Sequence, residues 1–242
     1  MPRAGLSRTA VVRLACDVVD AGGPRGFADL TLAKVAAEAG VAPPSLYKHV
    51  GSLAALRREV AVIAVEEITA AGTSATVGLA GADALRGLAR SWRRYAVQHP
   101  GRYSATQIGA DPDDPADAAL REAGTRSVAV VAAALQGFGL PDDRLIDAIR
   151  AVRSGVHGFV MLELGGGFRM REDVDRSFDA LLTMLTAGVE ALARHEGTPG
   201  DGNGPDRLGD LPGPATAGRP APLDDAPGSP GRHEHPTPRR PR

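Results

Sequence analysis

The chain has 242 residues, of which 43% are hydrophobic, and it carries a formal net charge of -1 at pH 7. This length and apolar content suffice for one or two folded domains with a substantial core. No apolar run approaches the ~18 residues of a membrane-spanning helix, and the N-terminus lacks the features of a secretory signal, so we expect a cytoplasmic protein.

Charge and cysteine content narrow the class further. Residues 1–60 carry eight Lys or Arg against five Asp or Glu, whereas the remainder has an excess of acidic residues. A basic N-terminal segment on an acidic body is compatible with nucleic-acid binding but does not establish it. The single cysteine, Cys16, excludes an internal disulfide and a thiolate metal cluster. We expect it to be a buried structural thiol.

The hydrophobic pattern predicts an all-α protein, because apolar residues recur at three and four positions and strand-like alternation is absent. A short helical turn is expected within residues 100–107. The tail, residues 197–242, is rich in proline and glycine and is predicted to be disordered. The predicted helices cover, in chain order, residues 6–21, 31–39, 43–50, 52–71, 82–98, 116–138, 142–165 and 172–194.

The segment VAAEAGVAPPSLYKHV, residues 35–50, predicts a helix-turn-helix. Gly40 stands where the first helix must end in a left-handed conformation, and Val41 supplies an apolar plug between the two helices. Proline is tolerated in the first turn of a helix, so Pro43 and Pro44 can begin the second helix. An ordinary glycine turn between two short helices has the same spacing and remains an alternative.

In helix-turn-helix proteins the second helix enters the major groove of DNA. Pro44 and Ser45 would then face base edges, and Tyr47, Lys48 and His49 would reach phosphates. Thr31, at the cap of the preceding helix, could add a hydroxyl–phosphate contact. The predicted DNA-binding residues are Thr31, Ala42, Pro43, Pro44, Ser45, Tyr47, Lys48 and His49.

Residues 30–61 resemble the DNA-binding signature of the TetR family of bacterial transcriptional regulators. The family pattern is matched at Thr31, Val35, Ala36, Ala39, Gly40, Val41, Leu46, Tyr47 and His49. Three positions depart from it: Ala42 replaces a frequent capping serine, Val50 replaces the usual phenylalanine, and Leu53 replaces a common backbone-binding lysine. The loss of that lysine suggests fewer phosphate contacts, or a greater role for Arg3, Arg8 and Lys48.

Residues 149–192 are similar to the WHG-type TetR C-terminal domain: His157 and Gly158 match its name-giving pair, whereas Arg153 occupies the tryptophan position. The resemblance implies a homodimer formed by the helices at 142–165 and 172–194. Its candidate interface residues are Val152, Val156, Phe178, Leu181, Leu185 and Val189. It also implies a small-molecule cavity, for which the candidate lining residues are Trp92, Tyr95, Tyr103, His157, Phe159 and Met161. Ordinary core packing remains an alternative for each of these side chains.

The sequence thus predicts a helix-turn-helix domain at 1–51, an effector-binding and dimerisation domain at 52–196 and a tail at 197–242. The expected function is a transcriptional regulator, most simply a repressor released from a palindromic operator on double-stranded DNA by a small molecule. The alternative is a ligand-independent DNA-binding or adaptor protein with a filled helical core. An enzyme is not expected because His49, His99 and His157 lie on separate elements, and the GGGF at 165–168 lacks the Lys-Ser/Thr of a phosphate loop. No cofactor, metal or membrane partner is predicted.

Overall fold

A computed structural model describes residues 6–194, and every regular element in that range is helical, as predicted. The predicted tail at 197–242 lies outside the described residues. Within that range no helix is both long and apolar enough to cross a bilayer. The α-helices are α1 (Arg8–Ala21), α2 (Leu32–Ala39), α3 (Tyr47–Val50), α4 (Leu53–Thr76), α5 (Gly81–Gln98), α6 (Pro100–Ala105), α7 (Ala118–Leu135), α8 (Asp142–Leu164) and α9 (Val174–Arg194).

Two boundaries differ from the sequence prediction. Helix α4 continues to Thr76 instead of ending near residue 71, and in the added turn the hydroxyls of Thr73 and Thr76 donate to the carbonyls of Thr69 and Gly72. The single helix predicted over 116–138 consists of α7 flanked by two 3₁₀ turns, Pro115–Asp117 and Gln136–Phe138.

Helices α1 and α3 pack onto the N-terminal half of α4, and α2 packs on α1 within the same buried cluster. The buried residues of this cluster include Val11, Val12, Ala15, Val19, Leu30, Val35, Leu46, Val50, Leu56 and Val60. Ala105, Ala110, Leu120 and Ala123, from the region of α6 and α7, belong to the same cluster. The helix-turn-helix therefore shares its core with α4, α6 and α7, and the domain boundary at residues 51 and 52 stays a prediction.

A second core lies among α5, α7, α8 and α9. Its fully buried members include Leu85, Leu88, Leu135, Val152, Val156, Phe178 and Leu182. The sole cysteine, Cys16, is buried in the first core, as expected, and burial raises the pKa of its thiol to about 11. It is therefore an unreactive packing residue at neutral pH.

Candidate DNA-binding surface and internal cavity

Two local features position the helix-turn-helix. Thr31 caps α2, since its Oγ1 accepts a hydrogen bond from the Lys34 backbone N–H at 3.3 Å. Gly40 ends α2 with φ of 65°, in the left-handed region that favours glycine. Its N–H and that of Val41 return to carbonyls of α2, and Val41 packs against the first core. The predicted glycine terminator and apolar plug are confirmed.

The second helix of the motif begins as a 3₁₀ turn over Pro43–Ser45 and continues as α3. Its inner side is fixed by Leu46 and Val50, which are 0% and 3% exposed. Pro43, Pro44, Ala42, Tyr47 and Lys48 point to solvent, and Ser45 and His49 are half-buried. Tyr47 is 55% exposed although it is aromatic. The structure thus places seven of the eight predicted DNA-binding residues on one accessible segment, residues 42–49, and the eighth, Thr31, at the exposed start of α2.

Two arginines tie the motif to its neighbours. Arg57 on α4 donates from its Nη2 atom to the carbonyls of Ala28 and Leu30, just before α2. Arg8 on α1 forms a salt bridge of 2.9 Å with Glu59 on α4. The Arg8 guanidinium is therefore already paired within the protein. Of the residues suggested to replace the phosphate contact that is lost at Leu53, Lys48 is the one in the described range whose cation is exposed without being held in a salt bridge. Arg3 lies outside that range.

A partly open cavity of about 90 Å³ lies between α4, α5, α6, α7 and α8. Its walls are mainly apolar, with a small set of polar groups on α6, α7, α8 and the turn after α6. The lining residues are Val65, Ile68, Trp92, Tyr103, Thr106, Gln107, Gly124, Ser127, Val128, Val131, Ile149, Arg153 and His157. An apolar cavity with a few convergent polar groups is typical of small-molecule sites.

The polar groups of the cavity form two contacts across helices. The Tyr103 hydroxyl lies 3.1 Å from Nδ1 of His157, and the Arg153 Nη2 donates to Oε1 of Gln107 at 3.3 Å. Burial, and then the nearby Arg153 cation, lower the pKa of His157 from its ordinary value. Burial raises the pKa of Tyr103. Near neutral pH the cavity therefore holds a neutral imidazole, a protonated phenol and one guanidinium cation.

A second polar cluster joins the cavity region to α1. The Arg102 side chain on α6 donates to Asp20 on α1 and to Glu67 on α4, both at 2.7 Å. His99 lies 3.1 Å from Asp20, and the Tyr95 hydroxyl donates to Glu67 at 2.8 Å. Arg102 is the residue immediately before Tyr103, which lines the cavity. Three helices of two different cores are thereby connected through one guanidinium.

Comparisons with known proteins identify the family. Residues 23–60 match the model described as bacterial regulatory proteins of the tetR family, and residues 85–185 match the tetracyclin repressor-like C-terminal domain. An uncharacterized HTH-type transcriptional regulator of Mycobacterium tuberculosis is 36% identical over 199 residues, covering 81% of this chain and 87% of the relative. The chain belongs to the TetR family. It is accordingly a DNA-binding transcriptional regulator.

Solved TetR-type structures share the fold. BioQ with its double-stranded DNA operator has a TM-score of 0.56 and 24% identity, covering 79% of this chain and 100% of the BioQ chain. ActR of Streptomyces coelicolor in complex with (S)-DNPA has a TM-score of 0.54 and 20% identity, covering 78% and 100%. At these identities the likeness concerns the fold alone.

Of the six candidate ligand-pocket residues, Trp92, Tyr103 and His157 lie on the wall of this cavity, and their part in ligand binding stays a prediction. The other three lie outside its lining for physical reasons. Tyr95 turns its hydroxyl to Glu67, and Phe159 packs its ring 4.7 Å from that of Phe168 and 5.0 Å from that of Phe178. Met161 is on the outer side of α8 and is 36% exposed.

The predicted dimer residues need a similar correction. Val152 and Val156 are 0% exposed and Phe178 and Val189 are 2% exposed within a single chain, so these four side chains belong to its own core. Leu181 and Leu185 are half-buried against the same core. The periodicity of α8 and α9 identified the buried stripe of each helix, and a partner would have to contact a different stripe.

That other stripe is made of small and flexible apolar residues. Leu162 is 55% exposed and Met184 is 66% exposed. Gly158 and Gly188 have open space where a Cβ would stand, with no atom within 4 Å. The exposed stripe, called here the outer α8–α9 face, comprises Ala151, Ser154, Gly158, Leu162, Ala180, Met184, Ala187 and Gly188.

Sequence reasoning missed most of the cavity wall. Ile149, Arg153 and His157 are four residues apart and lie on one side of α8, which is a helical signal that could have placed Arg153 beside His157. The contributions of α4 and α7 depend on helix packing, which one sequence does not reveal. In the described range no group of three or more His, Cys, Asp or Glu side chains could hold a metal ion.

Proposed function

We propose that this TetR-family regulator is a homodimeric repressor that leaves a palindromic operator when a small molecule occupies the cavity. The observation that carries the proposal is the double role of α4. Leu56 and Val60 of this helix belong to the core of the helix-turn-helix, and Val65 and Ile68 form part of the cavity wall. A ligand that displaces Val65 and Ile68 therefore also moves α4, the helix that supports the DNA-binding motif.

The size of the cavity supports a ligand-induced change. At about 90 Å³ it is smaller than the ~150 Å³ cavity that admits a benzene molecule in another protein. A larger effector must move the cavity walls, and it therefore binds one arrangement of the helices better than another. Such differential affinity is what a ligand needs to shift a conformational equilibrium. A ligand-independent regulator with a filled core, the competing interpretation, would not require this cavity.

DNA binding is assigned to the first unit, residues 1–51, and effector binding and dimerisation to residues 52–196. Pro44 and Ser45 would face base edges, and Tyr47, Lys48 and His49 would contact phosphates, with Thr31, Ala42 and Pro43 flanking them. The exposure of this segment and the burial of Leu46 and Val50 support that assignment. The protein would act on chromosomal DNA in the cytoplasm and catalyse no reaction.

The outer α8–α9 face is proposed as the dimer interface. One recognition helix reads few base pairs, and a two-fold dimer doubles the contacts and fixes the spacing of the half-sites. Gly158 and Gly188 have no neighbouring atoms within 4 Å of a Cβ position, so a second pair of helices could approach closely there. The solved BioQ structure contains operator DNA, which supports the DNA-binding part of the proposal for this chain.

Selection of bound sequences from a random DNA pool tests the proposal, with the purified full chain at near-physiological salt. A dimeric repressor should enrich an inverted repeat whose half-sites are about one helical turn, or a multiple of a turn, apart. Enrichment of a single half-site would contradict the dimer. Binding without any enrichment would contradict sequence-specific recognition.

A further inference from the structure

Arg153 differs from four other half-buried arginines that join parts of this protein: Arg57 donates to two backbone carbonyls, and the other three pair with acids. Arg58 contacts Asp114 and Asp117, Arg93 contacts Glu163 and Asp175, and Arg102 contacts Asp20 and Glu67. Each of those three guanidinium groups is held by two carboxylates.

Among the described residues, Arg153 has no carboxylate partner. Its one hydrogen bond goes to the neutral amide of Gln107, at the long distance of 3.3 Å. The residues one helical turn away on α8 are Ile149, Arg150, Val156 and His157, so its own helix supplies no acid either. A guanidinium has five N–H donors, and most of those of Arg153 remain available.

The available donors belong to a residue that lines the cavity. Of the thirteen lining residues within the described part of the chain, Arg153 is the one with a formal charge, and none is acidic. Its polar neighbours are neutral near pH 7, since burial and Arg153 itself lower the pKa of His157. The rest of the wall is apolar, with Trp92, Ile68 and Val131 among its larger members. The partly open cavity therefore combines one positive charge that no carboxylate in residues 6–194 neutralises with a mainly apolar wall.

We propose that the cavity selects a small amphipathic acid whose single carboxylate pairs with Arg153 and whose apolar body lies against Trp92. This proposal names the ligand class of the proposed effector site and so rests on that function. A planar guanidinium pairs with a carboxylate through two parallel hydrogen bonds. The Tyr103 hydroxyl and the Gln107 amide lie beside Arg153 and His157 and supply further polar contacts for the carboxylate end of the ligand.

The charge balance favours a monoanion over a phosphate ester. The Arg153 guanidinium neutralises the single negative charge of a carboxylate. A phosphate dianion would leave one negative charge uncompensated against the apolar wall, and burying such a charge costs free energy. A neutral ligand would leave the guanidinium without a carboxylate. A phosphate ester and a neutral amide are therefore both included in the titration that tests the proposal.

The sole tryptophan of the chain, Trp92, lies on the cavity wall and provides a direct signal. We would titrate the full-length protein with 4-bromobenzoate, with its neutral isostere 4-bromobenzamide, and with 4-bromophenyl phosphate. Quenching of Trp92 fluorescence by the bromine atom reports binding in the cavity, and calorimetry gives the affinity independently. The variants are Arg153→Gln, Arg153→Lys, and the control Arg150→Gln, which removes an exposed arginine from the same helix.

The wild-type protein and Arg150→Gln should bind the benzoate at least tenfold more tightly than the amide and the phosphate ester. Arg153→Gln should abolish this preference, and Arg153→Lys, which keeps the cation, should restore part of it. Equal affinity for acid and amide, tighter binding of the phosphate ester, or a preference that survives in Arg153→Gln would overturn the proposal. No binding of the benzoate at about 10 mM would also overturn it.

Operator binding, measured in the same samples, separates this inference from the proposed function. If the acid binds through Arg153 but the affinity for operator DNA is unchanged, the proposed class of ligand is supported and the proposed release from DNA by a ligand is contradicted. If a neutral compound quenches Trp92 and releases the protein from DNA whereas the acid does neither, ligand-controlled release is supported and the proposed class of ligand is contradicted.

Discussion

At the scale of single residues, the two lysines of the chain offer a matched test of the docking geometry. Lys48 is exposed on α3, whereas Lys34 on α2 donates from Nζ to the Asp29 carbonyl at 2.8 Å. We expect Lys48→Gln to weaken binding to operator and random DNA by similar factors, because a phosphate contact carries no sequence information. The slope of log affinity against log salt concentration should fall by about 1.

Fluorescence anisotropy at several salt concentrations measures both quantities. Lys34→Gln is the control, and its slope should stay close to that of the wild type. A loss confined to the operator would place Lys48 at a base edge and contradict the assignment. Substitution of Ser45, by contrast, should change the preferred bases.

His157 should make stability depend on pH. Burial and Arg153 lower the pKa of its imidazole in the folded chain, so the unfolded chain binds the proton more tightly. The contribution of neutral His157 to the free energy of unfolding is fully present above about pH 6.5, the pKa of histidine in the unfolded chain. It is lost as the pH falls through the lower pKa that His157 has in the folded chain. A protonated imidazole carries a hydrogen on both ring nitrogens, so Nδ1, which lies 3.1 Å from the Tyr103 hydroxyl, would then act only as a donor.

Urea unfolding at pH 7.5 and pH 5.5 checks this expectation. The free energy of unfolding should fall less for His157→Gln than for the wild type between these two values. An equal fall in both proteins would show that other groups account for the acid sensitivity.

At the scale of elements, Arg102 joins α6 to α1 and α4. Its side chain is 15% exposed and its partner Asp20 is 17% exposed, so removal of the guanidinium leaves carboxylates poorly solvated. Arg102→Gln should lower the free energy of unfolding by about 2 kcal/mol, below the values for fully buried pairs because Glu67 is 39% exposed.

Arg90→Gln is the control for this prediction. Arg90 pairs with Asp179 at 2.9 Å, and the two side chains are 53% and 58% exposed. An exposed pair contributes ~0.2–1 kcal/mol, so its loss should be small in a denaturant titration. Equal costs for the two variants would mean that the Arg102 contacts do not tie the helices together.

The elements also show what one sequence can and cannot predict. Gly40 favours a left-handed helix end and Pro43 favours a helix start, and both preferences are local. The helix-turn-helix and its exposed side chains could therefore be predicted from the sequence, and the family resemblance supported that prediction. Helical periodicity located Val156 and Phe178 on buried stripes but could not say whether the burying surface came from the same chain. The position of Arg153 in the cavity depends on how α8 packs against α5 and α7, which is a long-range property.

At the scale of the whole molecule, the proposed dimer must use surface that one chain leaves open. The outer α8–α9 face meets this requirement, since Met184 is 66% exposed and Leu162 is 55% exposed beside small residues. In a two-fold interface each residue occurs twice, so one substitution introduces two charges. Met184→Glu should therefore place two carboxylates in an apolar contact and dissociate the dimer.

Thr183→Glu provides the control, because Thr183 is the exposed neighbour of Met184 but lies toward the polar side of α9 with Asp179 and Glu190. Sedimentation at micromolar protein should give a monomer for Met184→Glu and a dimer for Thr183→Glu. Operator affinity should fall by at least 100-fold for the first variant alone, since a monomer holds one half-site. Thermal unfolding should separate this effect from damage to the chain, because the substituted side chain lies outside both cores. A Met184→Glu protein that remains dimeric would move the interface to another face.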